Sequence, residues 1–321
     1  MAYTRSAIVT GGTQNLGYHA ALDIARQHPD WLVVVCSRSD REHAADSINE
    51  ALKQSNTIFI SLDLSDSKSV RNFAKDWVAK NYPPIQALCL NAALQFPGQI
   101  VYTAEGIEAT FAITHVGHAL LFHLLCPHIA SKARVVITAS GVHDPANYSG
   151  LPPAVYTTGE ELAHPPPAIA NGPGQGHYSN AKLANILWTY ALHKRLRQRI
   201  PDRGVAVNAF DPGLMPGTGL AREYSAPMRF LWHKVFPKIT PILKTVYGGN
   251  IHKPSDSAAS LAWLAVSNET DGISGKYFEG KKEIPSSKDS YDETKIDDLW
   301  RWTLQYCAQD DTEAARFEGF T

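Results

Sequence analysis

The chain alternates between two hydrophobic periods. Short β-branched or continuously apolar runs predict strands at 6–10, 32–37, 57–62, 87–90, 134–139, 205–210 and 276–279. Stretches with helical spacing predict helices at 16–27, 41–54, 66–81, 104–125, 176–199, 256–267 and 291–308, with Thr103 as N-cap of the fourth. Leu32-Val33-Val34-Val35-Cys36 has no polar interruption, as expected of a parallel strand buried on both faces. Two intervals break the alternation. Residues 142–175 are rich in proline and glycine, which excludes regular helix and central strand. Residues 212–254 form a long connection with apolar residues of its own. Strand–helix alternation without a composition break predicts one α/β domain over 1–321, a doubly wound parallel sheet. The intervals 142–175 and 213–254 are then long insertions on the substrate side, acting as a lid.

Composition removes several classes. Hydrophobic residues make up 44% and charged residues 19%, too apolar a mix for a disordered chain. A length of 321 residues allows a large core without disulfides. Net charge is −1, so no basic surface for a nucleic-acid partner is expected. Cys36, Cys89, Cys126 and Cys307 are scattered without a CxxC, which argues for a reducing, cytoplasmic location. No apolar run approaches the ~18–20 residues of a membrane span, and the first residues leave no room for a signal peptide. His115, His118, His123 and His128 share one predicted helix, but no carboxylate completes a ligand set. Packing explains them, and no metal is expected.

The first strand runs into Thr10-Gly11-Gly12-Thr13-Gln14-Asn15-Leu16-Gly17. A tight glycine turn at this point aims backbone N–H groups, here those of Thr13, Gln14, Asn15 and Leu16, at a pyrophosphate on the helix N-terminus. Gly11 permits the turn and Gly17 permits close packing of helix on sheet. The architecture is Rossmann-like, although the spacing is not GxGxxG. The second strand ends at Arg38, where a dinucleotide site meets the adenosine ribose. A carboxylate there holds the 2′-hydroxyl; an arginine suits a 2′-phosphate, so the cofactor is expected to be NADP(H). Asp40 and Glu42 belong to the next helix N-terminus.

The spacing Tyr-x-x-x-Lys places a phenol and an ammonium on one helix face. A nearby cation favours phenolate and lets the tyrosine exchange a proton near neutrality. The spacing occurs at Tyr178/Lys182, Tyr190/Lys194, Tyr277/Lys281 and Tyr291/Lys295. Ligands bind beyond the carboxyl ends of the strands, where a crossover helix has its N-terminus, so Tyr178/Lys182 is the pair placed for chemistry. Ser140 ends the fifth strand at the same rim and can hold a substrate oxygen. Ser140, His143 and Asp144 do not make a hydrolytic triad, because no GxSxG elbow is present and the last two are sequence neighbours.

Together these residues resemble the short-chain dehydrogenase/reductase family over nearly the whole chain. The resemblance rests on the first glycine turn, Asp63, Asn91, Ser140, Tyr178-Ser179-Asn180-Ala181-Lys182 and Asp211-Pro212-Gly213. Within the family the chain is most similar to the retinol dehydrogenase and light-dependent protochlorophyllide reductase branch, through Cys36-Ser37-Arg38, Thr114-His115-Val116-Gly117-His118 and Thr218-Gly219-Leu220-Ala221-Arg222-Glu223. The resemblance implies that Asp63, with Leu64 beside it, binds the adenine amino group. Asn91, followed by Ala92, contacts the ribose. Lys182 holds the nicotinamide ribose hydroxyls, and Pro212, Gly213 and Met215 support the carboxamide. It also implies hydride transfer to a carbonyl carbon, with Tyr178 as acid and Ser140 polarising the oxygen. Three positions depart from the family pattern. Asn15 replaces a glycine but tolerates positive φ. Ala93 replaces another glycine. Thr114 replaces the asparagine that anchors a proton-relay water, which implies a slower relay. The resemblance further implies a homodimer or homotetramer through helices 104–125 and 176–199, an arrangement that the extended C-terminus can alter.

On the substrate side, Met228-Arg229-Phe230-Leu231-Trp232-His233-Lys234-Val235-Phe236 mixes aromatics with bases and reads as a lid over an apolar substrate. Weak peripheral membrane contact through 226–246 is the competing reading. The expected substrate is a bulky apolar ketone, aldehyde or secondary alcohol. Reduction of a C=C bond, a non-redox role guiding cyclisation or isomerisation, and NADPH sensing without turnover are the alternatives.

Overall fold

The computed structural model describes residues 3–147, 149–247 and 249–321. The start of the signal-peptide reading, Met1 and Ala2, lies outside the described residues. So do Tyr148 and Gly248, one in each insertion, and the side chain of Val246 in the 226–246 segment.

Among the described residues eight strands form one sheet: β1 (Arg5–Thr10), β2 (Trp31–Ser37), β3 (Thr57–Ser61), β4 (Ile85–Leu90), β5 (Ile129–Thr138), β6 (Ala206–Asp211), β7 (Lys276–Glu279) and β8 (Lys282–Ile284). Their order is β3-β2-β1-β4-β5-β6-β7-β8, parallel except for β8. The expected doubly wound sheet is thus present. The chain reverses its direction of travel between β1 and β4, and this switch point opens a crevice at the strand carboxyl ends. β8 escapes the sequence pattern because Lys282-Glu283-Ile284 is too short and polar to show a period. The buried run in β2 arises because helices cover both sheet faces. Asn15–Gln27 and Pro254–Val266 lie over one face, and Ser67–Ala79, Gly117–Leu125, Gly174–Arg199 and Glu293–Cys307 over the other.

Three expectations are corrected. The fourth helix begins at Ala109, not at 104, and passes through a π-turn over Ala112–Val116. Its cap is Glu108 rather than Thr103: the buried carboxylate accepts from Thr110 N–H at 2.9 Å and Phe111 N–H at 2.6 Å. The window Ala109–His128 is, by length and composition, apolar enough to cross a membrane, with mean hydropathy 1.4. However, 94% of it is buried inside the protein, so its apolarity belongs to the core. Finally, the 142–175 interval does contain helix, in the short pieces Gly159–Ala163 and Pro167–Ala170. Pro167 sits in a first turn, where its missing N–H costs nothing.

The C-terminal segment continues beyond the predicted last helix into Asp311–Gly319. Arg71 grips Glu313 bidentately at 2.8 Å per bond and donates to the Cys307 carbonyl at 2.6 Å. His115 Nε2 pairs with Thr303 Oγ1 at 2.9 Å, and His123 stacks on Phe317 with centroids 4.9 Å apart. The helices that the resemblance pairs in a dimer are therefore covered by this chain's own C-terminal helices.

The first insertion is fastened to the same layer. Tyr156 Oη donates to Asp298 Oδ2 at 2.7 Å, and Gly159 N–H donates to the same oxygen at 2.8 Å. Asp298→Ala leaves a buried phenol and an amide without an acceptor. A loss of about 2–3 kcal/mol is expected, read as a lower urea midpoint at unchanged m. A midpoint equal to the parent's would show that these bonds are made as well in the unfolded chain.

Candidate active site

A cavity of ≈ 890 Å³ opens along the carboxyl ends of β1, β2, β4, β5 and β6. At its β1 end Gly11 has φ +64° and Asn15 φ +49°, so asparagine does take the left-handed conformation. A Cβ on Gly17 would run into the Gly11 carbonyl, which requires glycine there. No side chain caps the Asn15–Gln27 helix, and its first turn has no acidic residue. Its free amides and positive dipole end suit an anion. Gly11, Gln14, Asn15, Leu16 and Gly17 line the cavity, whereas Thr13 is buried outside the lining.

At the β2 end the lining is Cys36-Ser37-Arg38, without a carboxylate. Asp40 is turned to the next helix and accepts from Ala44 N–H at 2.8 Å and Ala45 N–H at 3.4 Å. Arg222, from the second insertion, joins Arg38 in the lining; burial and the charge of Arg38 lower its pKa. Asp63 and Leu64 line the adjoining wall, with Asp63 Oδ1 accepting from Ser65 N–H (2.9 Å) and Ser65 Oγ (2.6 Å). Ala92 lines the floor beside Asn91, whose side chain donates to the Thr10 carbonyl at 2.9 Å. Asn91 thus fastens β4 to β1.

His118 orders the same corner. The Thr114 carbonyl can only accept, so Nδ1, 3.0 Å away, carries the proton. Burial pulls the imidazole down to about 4, so it is neutral, and Nε2 accepts from the Thr10 hydroxyl at 2.8 Å. Thr10 Oγ1 in turn accepts from the amides of Asn91 (2.8 Å) and Ala92 (3.0 Å). Thr114 itself is buried outside the cavity lining, and its carbonyl is bonded to His118.

Tyr178 lies in the second turn of the Gly174–Arg199 helix, with Lys182 one turn on. Lys182 is buried, donates to the Thr138 carbonyl at 2.8 Å, and lies 5.5 Å from the Tyr178 ring centroid. Ser140 follows β5 and lines the cavity with both. The three rival pairs are elsewhere. Tyr190 bonds Ser286 Oγ at 2.6 Å, Tyr277 is buried outside the lining, and Tyr291 stacks on Tyr190. His143 donates from Nδ1 to the Ser140 carbonyl at 2.7 Å and accepts the Ser287 N–H on Nε2 at 3.0 Å, so it makes no triad with the Ser140 hydroxyl.

Burial pulls the Lys182 ammonium down to about 7, against the opposing charge of Asp211. The Tyr178 phenol moves opposite to expectation. Burial, then the charges of Asp211 and Tyr224, raise it above its ordinary range. Desolvation outweighs the attraction of an ammonium engaged with a backbone carbonyl, and the phenol keeps its proton.

Pro212, Gly213 and Met215, which follow β6, line the cavity, and the second insertion roofs it with Met228, Trp232, Phe236 and Leu243. Among its described residues the first insertion contributes only its ends, including Val142, Leu151 and Gln175; its middle packs on Asp298 instead.

The family model described as short chain dehydrogenase matches residues 5–153. Polyprenol dehydrogenase of Danio rerio is 30% identical over 310 residues, covering 94% of this chain and 85% of that protein. The chain belongs to the short-chain dehydrogenase/reductase family. A WW domain-containing oxidoreductase of Drosophila melanogaster is 28% identical over 307 residues, 95% of this chain and 69% of that protein. The chain thus spans about two thirds of such relatives' length. A solved structure of an uncharacterised Mycobacterium paratuberculosis protein superposes with TM-score 0.66 at 21% identity, covering 95% of this chain and 94% of that one. The angucycline C-6 ketoreductase LanV, solved with bound NADP, gives 0.60 at 18%, covering 85% and 93%. These two support the fold.

Two features of this short-chain dehydrogenase escape sequence reasoning. Asp211 was legible only as the start of Asp-Pro-Gly. In the fold its buried carboxylate accepts from Gly141 N–H (2.9 Å), Asn250 Nδ2 (3.0 Å) and Gly213 N–H (2.9 Å), joining the Ser140 segment to the base of the roof. Tyr224 accepts from Gln175 Nε2 at 3.3 Å and donates to Gln95 Oε1 at 3.2 Å. These three come from separate segments and share no local motif.

Proposed function

We propose that the protein is an NADPH-dependent reductase that transfers a hydride to the carbonyl carbon of a bulky apolar ketone or aldehyde, or runs the reverse oxidation of the alcohol. The observation that carries this reading is the convergence of Tyr178, Lys182 and Ser140 on the cavity that also holds the uncapped glycine-turn helix. That helix end would hold the pyrophosphate, Asp63 the adenine amino group, Arg38 and Arg222 the 2′-phosphate, and Lys182 the nicotinamide ribose. When bound, the dinucleotide supplies the hydride. Ser140 donates a hydrogen bond to the substrate oxygen. Tyr178, protonated at neutral pH, gives its proton to that oxygen as negative charge develops on it. Met228, Trp232, Phe236 and Leu243 exclude water and select an apolar body.

The test is loss of nicotinamide absorbance across a panel of bulky ketones, with NADPH and NADH compared. NADPH should be preferred. Arg38→Asp should shift the NADPH-to-NADH ratio of kcat/KM by roughly 30-fold toward NADH, the worth of about 2 kcal/mol in one charge-assisted contact. An unchanged ratio would move 2′-phosphate recognition away from Arg38, and no consumption of either cofactor with any ketone would remove the reductase reading.

A further inference from the structure

We propose that the outer face of the roof, residues 226–244, docks on an anionic lipid bilayer and opens the cavity toward it. The roof is apolar on both sides. Its inner row, Met228, Trp232 and Phe236, follows the i, i+4, i+8 spacing of one helix face and lines the cavity. That row already satisfies the substrate side. Phe230 and Ile242 are not in the lining, yet they are 62% and 63% exposed, and Leu231, which follows Phe230, is 38% exposed. Such a patch is unexpected on a face that meets only water.

Charge says what covers it. Between Glu223 and Asp256 the chain carries Arg229, Lys234, Lys238, Lys244 and Lys253 and no acidic residue, in a protein of net charge −1. Arg229, Lys234, Lys238 and Lys244 are all exposed and alternate with the apolar side chains. Long basic stems can lie along the acyl boundary with their charges at the phosphates, while Phe230 and Ile242 insert. A second copy of the chain is the poorer occupant, because a two-fold interface through this patch sets like charges against like. The membrane as substrate source rests on the reductase reading; the docking itself does not.

The experiment is flotation of the full chain with phosphatidylserine-rich vesicles and with pure phosphatidylcholine vesicles. Binding to the first alone, reversed by high salt, is expected. Phe230→Ser combined with Ile242→Ser should weaken it by at least about tenfold and leave NADPH-dependent turnover of a small water-soluble ketone intact. The proposal fails if the parent stays in solution with anionic vesicles, if the double variant floats as well as the parent, or if sedimentation shows a dimer that the double substitution abolishes. Vesicle binding without ketone turnover would keep the docking and remove the reductase reading; the reverse result would do the opposite.

Discussion

Tyr178→Phe should bind NADPH as tightly as the parent and lose roughly 10²–10⁴-fold in kcat, the range for removing one general acid. The phenol is buried, and burial together with the Asp211 and Tyr224 charges holds its proton above the ordinary tyrosine range. It is therefore in its donating form at neutral pH. Phenylalanine preserves the ring beneath which Lys182 lies, so the cavity wall and the fold remain. Cofactor binding is read by fluorescence titration and turnover by nicotinamide absorbance. A Tyr178→Phe variant that binds NADPH and reduces its substrate at the parental rate would place the proton donor elsewhere.

Asp211→Asn should act on both stability and pH dependence. Its carboxylate accepts three hydrogen bonds, two from backbone amides, and an amide cannot replace all of them because its NH₂ meets another donor. A loss of about 2–4 kcal/mol is expected for hydrogen bonds to a buried charge. The Lys182 ammonium, down to about 7, owes part of its remaining protonation to Asp211; Tyr178 and the neutral His118 are its other titratable neighbours. Reduction should decline as Lys182 deprotonates with rising pH through about 7. Removing the negative charge lowers that pKa further, so the declining limb moves to lower pH. The linkage has the matching sign. A lysine whose folded pKa lies below its unfolded value carries its full burial penalty at pH below the folded pKa, and the penalty fades as pH rises toward the unfolded value. The variant's deficit is then largest on the acidic side. A pH–rate profile superimposable on the parent's would show that Asp211 only positions backbone.

Much of the site was readable because its parts are local. Gly11, Asn15 and Gly17 lie within one turn, and Tyr178 and Lys182 within one helical turn, so spacing alone relates them. Choosing Tyr178 over Tyr190, Tyr277 and Tyr291 needed only the rule that ligands gather at strand carboxyl ends. The errors have equally physical causes. Thr103 is a good cap by type, but Glu108 is buried where two amides need an acceptor. The Tyr178 pKa moves up rather than down because burial of the phenol itself, with the Asp211 and Tyr224 charges, outweighs the ammonium that sequence spacing sets beside the ring, which in the fold donates to the Thr138 carbonyl.

By itself the sequence determined the order of the seven parallel strands and of the longer helices between them, the glycine turn and the tyrosine–lysine pair, because each is written in hydrophobic period or in spacing over a few residues. The tertiary structure alone decided that the C-terminal helices cover the Gly117–Leu125 and Gly174–Arg199 pair, that 142–175 divides between cavity and scaffold, and that Asp211 joins Ser140's segment to the roof. Those outcomes depend on contacts such as Gly141 with Asp211 and Tyr156 with Asp298, whose partners stand 70 and 142 residues apart. No local pattern records such a pairing; only the closing of the chain around its sheet brings the groups within bonding distance.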